Sequence, residues 1–300
     1  MEERHIVLAG RASLLAKAQN RIVMDKLKPM GYRVTELRVT TRGDRDKTTP
    51  VIKLGGNGLF VREVEKVLLS GEADIAVHCV KDLPYDFAEG LVIAGVLDEA
   101  DPRDVLLIRK EKEGLFSRLA SASGQDSQVS ASRQDTPAEA HRVCACGGES
   151  FVVGTGSPRR VSQLRRRYPF ISCAEIRGNI DTRIEKLRRG EYDAIVLAKA
   201  GLDRAGLDVS DLGIRILGTN ELVPAVGQGL LAVQCREDDH LLRKQLFDMS
   251  DARAYARFML EREIFCRFRC NCDDPIGIYA DIDADKLKVD IRVNTAGGRI

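Results

Sequence analysis

Tryptophan is absent from the 300 residues, and all aromatic residues together make up 5% of the chain. With so few rings to stack on bases, and few of them among the basic stretches, the sequence argues against a nucleic-acid partner. No apolar run approaches the roughly 20 residues needed to cross a bilayer, so no membrane partner is expected. A large net charge is also missing: the balance is +2, so any basic site must be local. The opening MEERHIVLAG places acids directly after Met1, unlike a secretory signal, and a cytoplasmic location is expected. There the eight cysteines should be reduced. Neither Cys144 with Cys146 nor Cys270 with Cys272 has the spacing of a zinc knuckle, and no metal is expected.

What is present is an ordinary globular balance, 44% hydrophobic and 31% charged, in a chain longer than one core usually supports. A strand is expected at His5 to Ala9, then a turn through Arg11 and Ser13 into a helix with Leu15, Ala18 and Ile22 on its apolar face. A second strand covers Val34 to Thr41. Glycines 55, 56 and 58 precede a helix carrying Val64, Val67 and Leu68 and closed by Gly71. They lack the lysine and hydroxyl of a phosphate-binding loop. Phe60, at the start of that helix, is either a core residue or a lid. Strands follow at Ile75 to Val77 and Leu91 to Leu97, an alternation that predicts a mainly parallel sheet with covering helices.

Lys81 and Asp82 fall where the Ile75 strand ends, the edge at which open α/β sheets bind ligands. A new α/β unit is expected from Val105. Between residues 111 and 150 the composition turns to serine, glutamine, glycine and charge, which reads as a long loop or insertion. The segment FVVGTGSPRRVSQLRRR then predicts a strand, a glycine turn and a helix capped by Ser157 with Pro158 at its first position. Such a helix start attracts anions. Arg159, Arg160, Arg177 and Arg183 all fall at strand ends or in first helical turns, whereas arginines 165–167, 188 and 189 fall late in helices, where the dipole accounts for them. Strands are expected at Cys173 to Ile176 and Ala194 to Ala198. The strand Leu230 to Val233, after a glycine-punctuated loop at 221–229, suits a chain crossing back to the first sheet, leaving a hinged crevice between two lobes. A helix from Met249 to about Phe265 leads to Cys272, which precedes the turn Asp273-Asp274-Pro275 and is expected to be an exposed thiol.

These stretches together resemble the porphobilinogen deaminase family. The resemblance rests on Arg11-Ala12-Ser13, Thr41 to Asp44, Gly55 to Phe60, Gly71 to Pro84, Asp101 to Asp104, Gly154 to Arg160, Arg177 to Asn179, Gly190 to Gly201, Pro224 to Gly229 and Cys272 to Gly277, in the family's order. It implies an α/β protein of two periplasmic-binding-protein-like lobes with mainly parallel sheets plus a small α/β third domain. Residues 1–100 with 224–245 would form the first lobe, 101–223 the second, and 246–300 the third domain. It further implies a dipyrromethane cofactor joined to Cys272 through a thioether, with Lys81, Ser13, Ser157, Arg159, Arg160 and Arg183 holding it. Arg11, Gln19, Phe60, Arg177 and Arg204 would bind the small-molecule substrate porphobilinogen. Asp82 would be the catalytic acid, stabilising the cation formed as ammonia leaves. The expected form is a monomer. The rival reading is a non-catalytic two-lobe module that binds polycarboxylates. The sequence departs from the family pattern at Asn57, Cys79 and Pro158, where lysine, serine and leucine are usual.

Overall fold

The computed structural model describes residues 4–40, 61–84, 86–124, 150–268, 274–283 and 285–293. Phe60, Cys144, Cys146, Cys270 and Cys272, with the expected motifs at 41–44 and 55–60, lie outside them.

Two five-stranded sheets dominate. In the first, β1 (Arg4–Arg11), β2 (Tyr32–Val39) and β3 (Ile75–Cys79) run parallel, and β4 (Leu91–Glu99) lies at the far edge. The second contains β5 (Asp104–Arg109), β6 (Phe151–Gly154), β7 (Ile171–Ala174), β8 (Ala194–Ala198) and β9 (Leu212–Leu217). The strand β10 (Leu230–Arg236) returns to the first sheet and fits between β3 and β4, antiparallel to both. The resulting orders are β2-β1-β3-β10-β4 and β7-β6-β8-β5-β9. The two sheets are therefore built alike. In each, four strands share a direction, and the fourth position is held by an antiparallel strand that enters straight after the chain crosses over. The expected mainly parallel sheets hold in strand direction, and the crossing strands supply the antiparallel ladders. Strands in the middle of these sheets are covered on both faces, which is why β8 reads AIVLA with every residue buried.

Helices cover the faces: α1 (Leu14–Leu27), α2 (Arg62–Leu69), α3 (Glu113–Gly124), α4 (Pro158–Arg167), α5 (Ile180–Arg188) and α6 (Lys199–Ala205). Three expectations are corrected. The buried face of α1 is Gln19, Asn20, Val23 and Leu27 rather than Leu15, Ala18 and Ile22, because Leu15 is turned to a cavity between the lobes. The stretch after residue 111 is not loop throughout: α3 lays Phe116 into an aromatic cluster with Phe151, Tyr168 and Phe170, at centroid distances of 5.4 to 5.7 Å. The strand expected at Cys173 to Ile176 starts two residues earlier, at Ile171.

After β10 come α7 (His240–Asp248), which the sequence reading did not foresee, and α8 (Ala252–Arg267). Asp239 and Asp251 cap them by accepting from Leu242 N and Ala254 N. Leu242 and Leu246 of α7 enter the first sheet's core with Ile6, Leu8 and Val233. Ala254 and Phe258 seat α8 against Val96, Leu230 and Ala232. The antiparallel hairpin β11 (Ile276–Asp283) and β12 (Lys286–Val293) follows. Among the described residues no helix is long and apolar enough to cross a membrane.

Candidate active site

Crossing points and strand ends converge on a cavity of about 260 Å³ between the two sheets. Its first wall is the end of β1 with Arg11, the start of α1 with Ser13 and Gln19, and the 3-10 turn Val80–Asp82 that follows β3. Its second wall is Arg160 of α4, Gly178 to Ile180, Arg183 of α5, and the junction of β8 with α6. Arg204 and residues 227–230 close the base. Among the described lining residues, Arg11, Lys81, Arg160, Arg183 and Arg204 carry positive charge, and Asp82 carries the one negative charge.

The helix starts add to this field. Ser13 Oγ accepts from Ala16 N at 3.3 Å and Ser157 Oγ from Arg160 N at 3.5 Å, which fixes the first turns of α1 and α4. Asn179 begins α5 with no side-chain cap, and α1 and α5 bring their amino ends to the cavity from opposite sides.

Asp82 is exposed to the cavity, and Lys81 beside it is half-buried. Burial lowers the Lys81 pKa, against the pull of Asp82. Burial also lowers Arg183 to about 10, with Arg160 adding repulsion and Asp82 opposing both, so the carboxylate acts across the cavity on the other wall. Gln19 Nε2 donates to Cys79 Sγ at 2.8 Å, and burial followed by Asp82 raises the Cys79 thiol.

The arginine pair expected at the start of α4 divides in role. Arg159 is absent from the cavity wall. It is buried, with Nη2 on Asp104 Oδ2 at 2.8 Å and Nη1 on Val223 O at 2.6 Å. Arg160 reaches the cavity while Nη2 and Nε hold Asp104 Oδ1 at 2.7 and 3.2 Å. Burial alone would raise the Asp104 pKa, but the two guanidinium groups hold it down at about 2. Arg204 is tied to Asp98 Oδ2 at 2.7 Å and to Gly229 O. Arg177 is half-buried and does not line the cavity. The reading of the sequence missed Asp104 and Gln228, whose Nε2 donates to Asp104 Oδ1 at 3.1 Å and Pro102 O at 2.7 Å. The available signal was an acid directly before the apolar run Val105 to Ile108.

Two α/β lobes around a cavity of guanidinium groups and helix amino ends define a two-lobe protein with a crevice suited to a small polyanion. The chain belongs to the porphobilinogen deaminase family: the family model described as "Porphobilinogen deaminase, dipyromethane cofactor binding domain" matches residues 6–244. It is 38% identical over 298 residues to the porphobilinogen deaminase of Geobacillus kaustophilus (strain HTA426), covering 99% of this chain and 86% of that one. Against the porphobilinogen deaminase of Streptococcus sanguinis (strain SK36) the identity is 37% over 278 residues, covering 92% and 81%. Among solved structures, a Salmonella typhimurium periplasmic binding protein of high arginine specificity is similar at a TM-score of 0.44 and 11% identity, covering 87% of this chain and 98% of that one.

The family's dipyrromethane is a polycarboxylate, and the wall fits it: among the described residues several cations face one acid, and Lys81 and Arg183 sit on opposite sides.

Proposed function

We infer that the chain is a hydroxymethylbilane synthase: it joins four porphobilinogen molecules head to tail, releases ammonia, and frees hydroxymethylbilane for tetrapyrrole and haem biosynthesis. The observation that carries this reading is the cationic cavity in which, among the described residues, Asp82 is the one lining acid. Dipyrromethane, when bound, supplies the pyrrole end onto which new units are joined, and Cys272 is the proposed point of attachment. Lys81, Ser13, Arg160 and Arg183 hold its carboxylates, and Ser157, which caps α4 and does not line the cavity, is proposed from the family pattern. Arg159 contributes from behind, by fixing Asp104 and through it Arg160. Arg11, Gln19 and Arg204 face the substrate, with Arg177 and Phe60 proposed from the family pattern.

Asp82 holds positive charge next to the reacting pyrrole and exchanges protons with its nitrogen and aminomethyl group. Its exposure to the cavity, with both Lys81 and Arg183 in electrostatic reach, supports that role. The proposed domain limits are 1–100 with 224–245, 101–223 and 246–300, and the proposed form is a cytoplasmic monomer. Division of the strands between the two sheets supports the first two limits.

The experiment is porphobilinogen consumption with ammonia release, together with the intact mass of the protein. We expect a mass increase of two pyrrole units that is absent from Cys272→Ser. Asp82→Asn should keep the added mass and lose at least about a hundredfold in kcat. Binding of porphobilinogen without ammonia release would instead make the protein a polycarboxylate-binding module.

A further inference from the structure

One residue that joins several parts of this molecule lies outside the cavity lining. Arg257, in the middle of α8, is 1% exposed. Its Nη2 donates to Gln228 O at 2.7 Å, on the segment by which the chain returns to the first sheet. Its Nη1 donates to Glu99 Oε1 at 3.1 Å, where the chain leaves that sheet. Its Nε donates to Glu261 Oε1 at 2.7 Å, and its plane lies over the Tyr279 ring at 4.8 Å. One guanidinium thus holds both crossing segments, its own helix and the terminal hairpin.

These contacts continue to the cavity. Gln228, whose carbonyl Arg257 holds, donates through its side chain to Asp104, and Asp104 holds the cavity-lining Arg160. Glu261 accepts from Gly227 N at 2.6 Å and Ala280 N at 2.9 Å, locking the same crossing segment to β11. Arg262, next on the helix, donates to Pro84 O at 2.9 Å, two residues past Asp82. The helix is therefore connected to both walls.

Stability alone is a poor account of Arg257. A buried ion pair can often be replaced by apolar side chains of similar volume without loss. What only a guanidinium supplies is several donors in one rigid plane. We propose that Arg257 is a positioning residue for the deaminase reaction, setting the spacing of the two cavity walls through the crossing segments. This rests on the function inferred above. Each condensation needs the acid and the cationic wall correctly placed about the reacting atoms, and small misplacements arising far from those atoms are costly in rate.

The test compares wild type with Arg257→Met, which keeps bulk and loses all donors, and Arg257→Lys, which keeps charge but gathers its donors on one nitrogen and cannot reproduce the planar spread that reaches Glu99, Gln228 and Glu261 together. Rates are expressed per molecule that is folded by thermal melting and loaded by intact mass. In Arg257→Met kcat should fall about tenfold or more while KM for porphobilinogen stays within about threefold, and Arg257→Lys should fall between it and wild type. If Arg257→Met does not fold, Arg257→Lys decides by the same split in kcat and KM. Unchanged kcat per folded, loaded molecule would overturn the proposal, as would a loss confined to KM or to the folded fraction. Wild type that releases no ammonia would overturn the functional reading instead.

Discussion

His78 lies one strand position before Cys79 and is buried in the first lobe, where a charged imidazole is poorly accommodated. Its Nε2 meets Gln234 Oε1 at 3.0 Å, and Gln234 Nε2 donates to Glu65 Oε1 at 3.0 Å. Burial pushes its pKa from 6.5 down to about 4, against the raising influence of Gln234 and Asp82. A histidine with a depressed folded-state pKa takes up its proton more readily when unfolded. Its contribution is therefore intact above about pH 6.5 and is lost as the pH falls toward about 4. We expect His78 to account for about 3 kcal/mol of acid destabilisation across that window. Urea unfolding from pH 4 to 7 should show a flatter slope in His78→Gln, and an unchanged slope would contradict the assignment. The Lys81-Asp82 pair could be read from the sequence because it ends an apolar strand. The partners of His78 and Arg159 could not, since they lie 156 and 55 residues away.

At the scale of elements, apolar runs such as Ala194–Ala198 and caps such as Ser157 were legible, because burial on both strand faces and an orphaned helix start leave local marks. The helix α3 was hidden by composition. Leu115, Phe116, Leu119 and Ala120 have helical spacing, but the stretch that follows is rich in serine and glutamine and masks them. Tertiary packing decides the matter: Phe116 sits at 3% exposure against Phe151, Tyr168 and Phe170, and Arg215 lies over its ring at 5.6 Å. Phe116→Ala should cost about 3 to 5 kcal/mol in chemical unfolding. A cost below about 1 kcal/mol would mean that α3 is peripheral to the second core. The helix α7 escaped for a related reason, since only Leu242 and Leu246 of its nine residues are buried.

For the whole molecule, the two lobes meet at Asp104. It receives Arg159 and Arg160 from the second lobe and Gln228 from the returning segment. Asp104→Asn leaves two buried guanidinium groups without their counterion and should cost about 3 to 5 kcal/mol at neutral pH. The carboxyl pKa lies at about 2, below the ordinary 3.8, so its stabilisation is present above about pH 4 and disappears as the pH falls through about 2. The variant should lack that component of acid unfolding, followed by circular dichroism; equal acid profiles would count against it. Backbone approach at the same junction is close: Gly229, at φ +97°, lies so near Ala100 O that a Cβ would collide with it, and Ala100 N donates to Gly229 O at 3.1 Å.

The placement of β10 also fixes the order in which the molecule can mature during synthesis. β4 has no ladder to β3 except through β10, whereas the five strands of the second sheet lie within residues 104–217. As the chain emerges, the middle lobe has all its strands first. The amino-terminal lobe, although made earlier, waits with an unfilled gap in its sheet until residue 236 has been delivered.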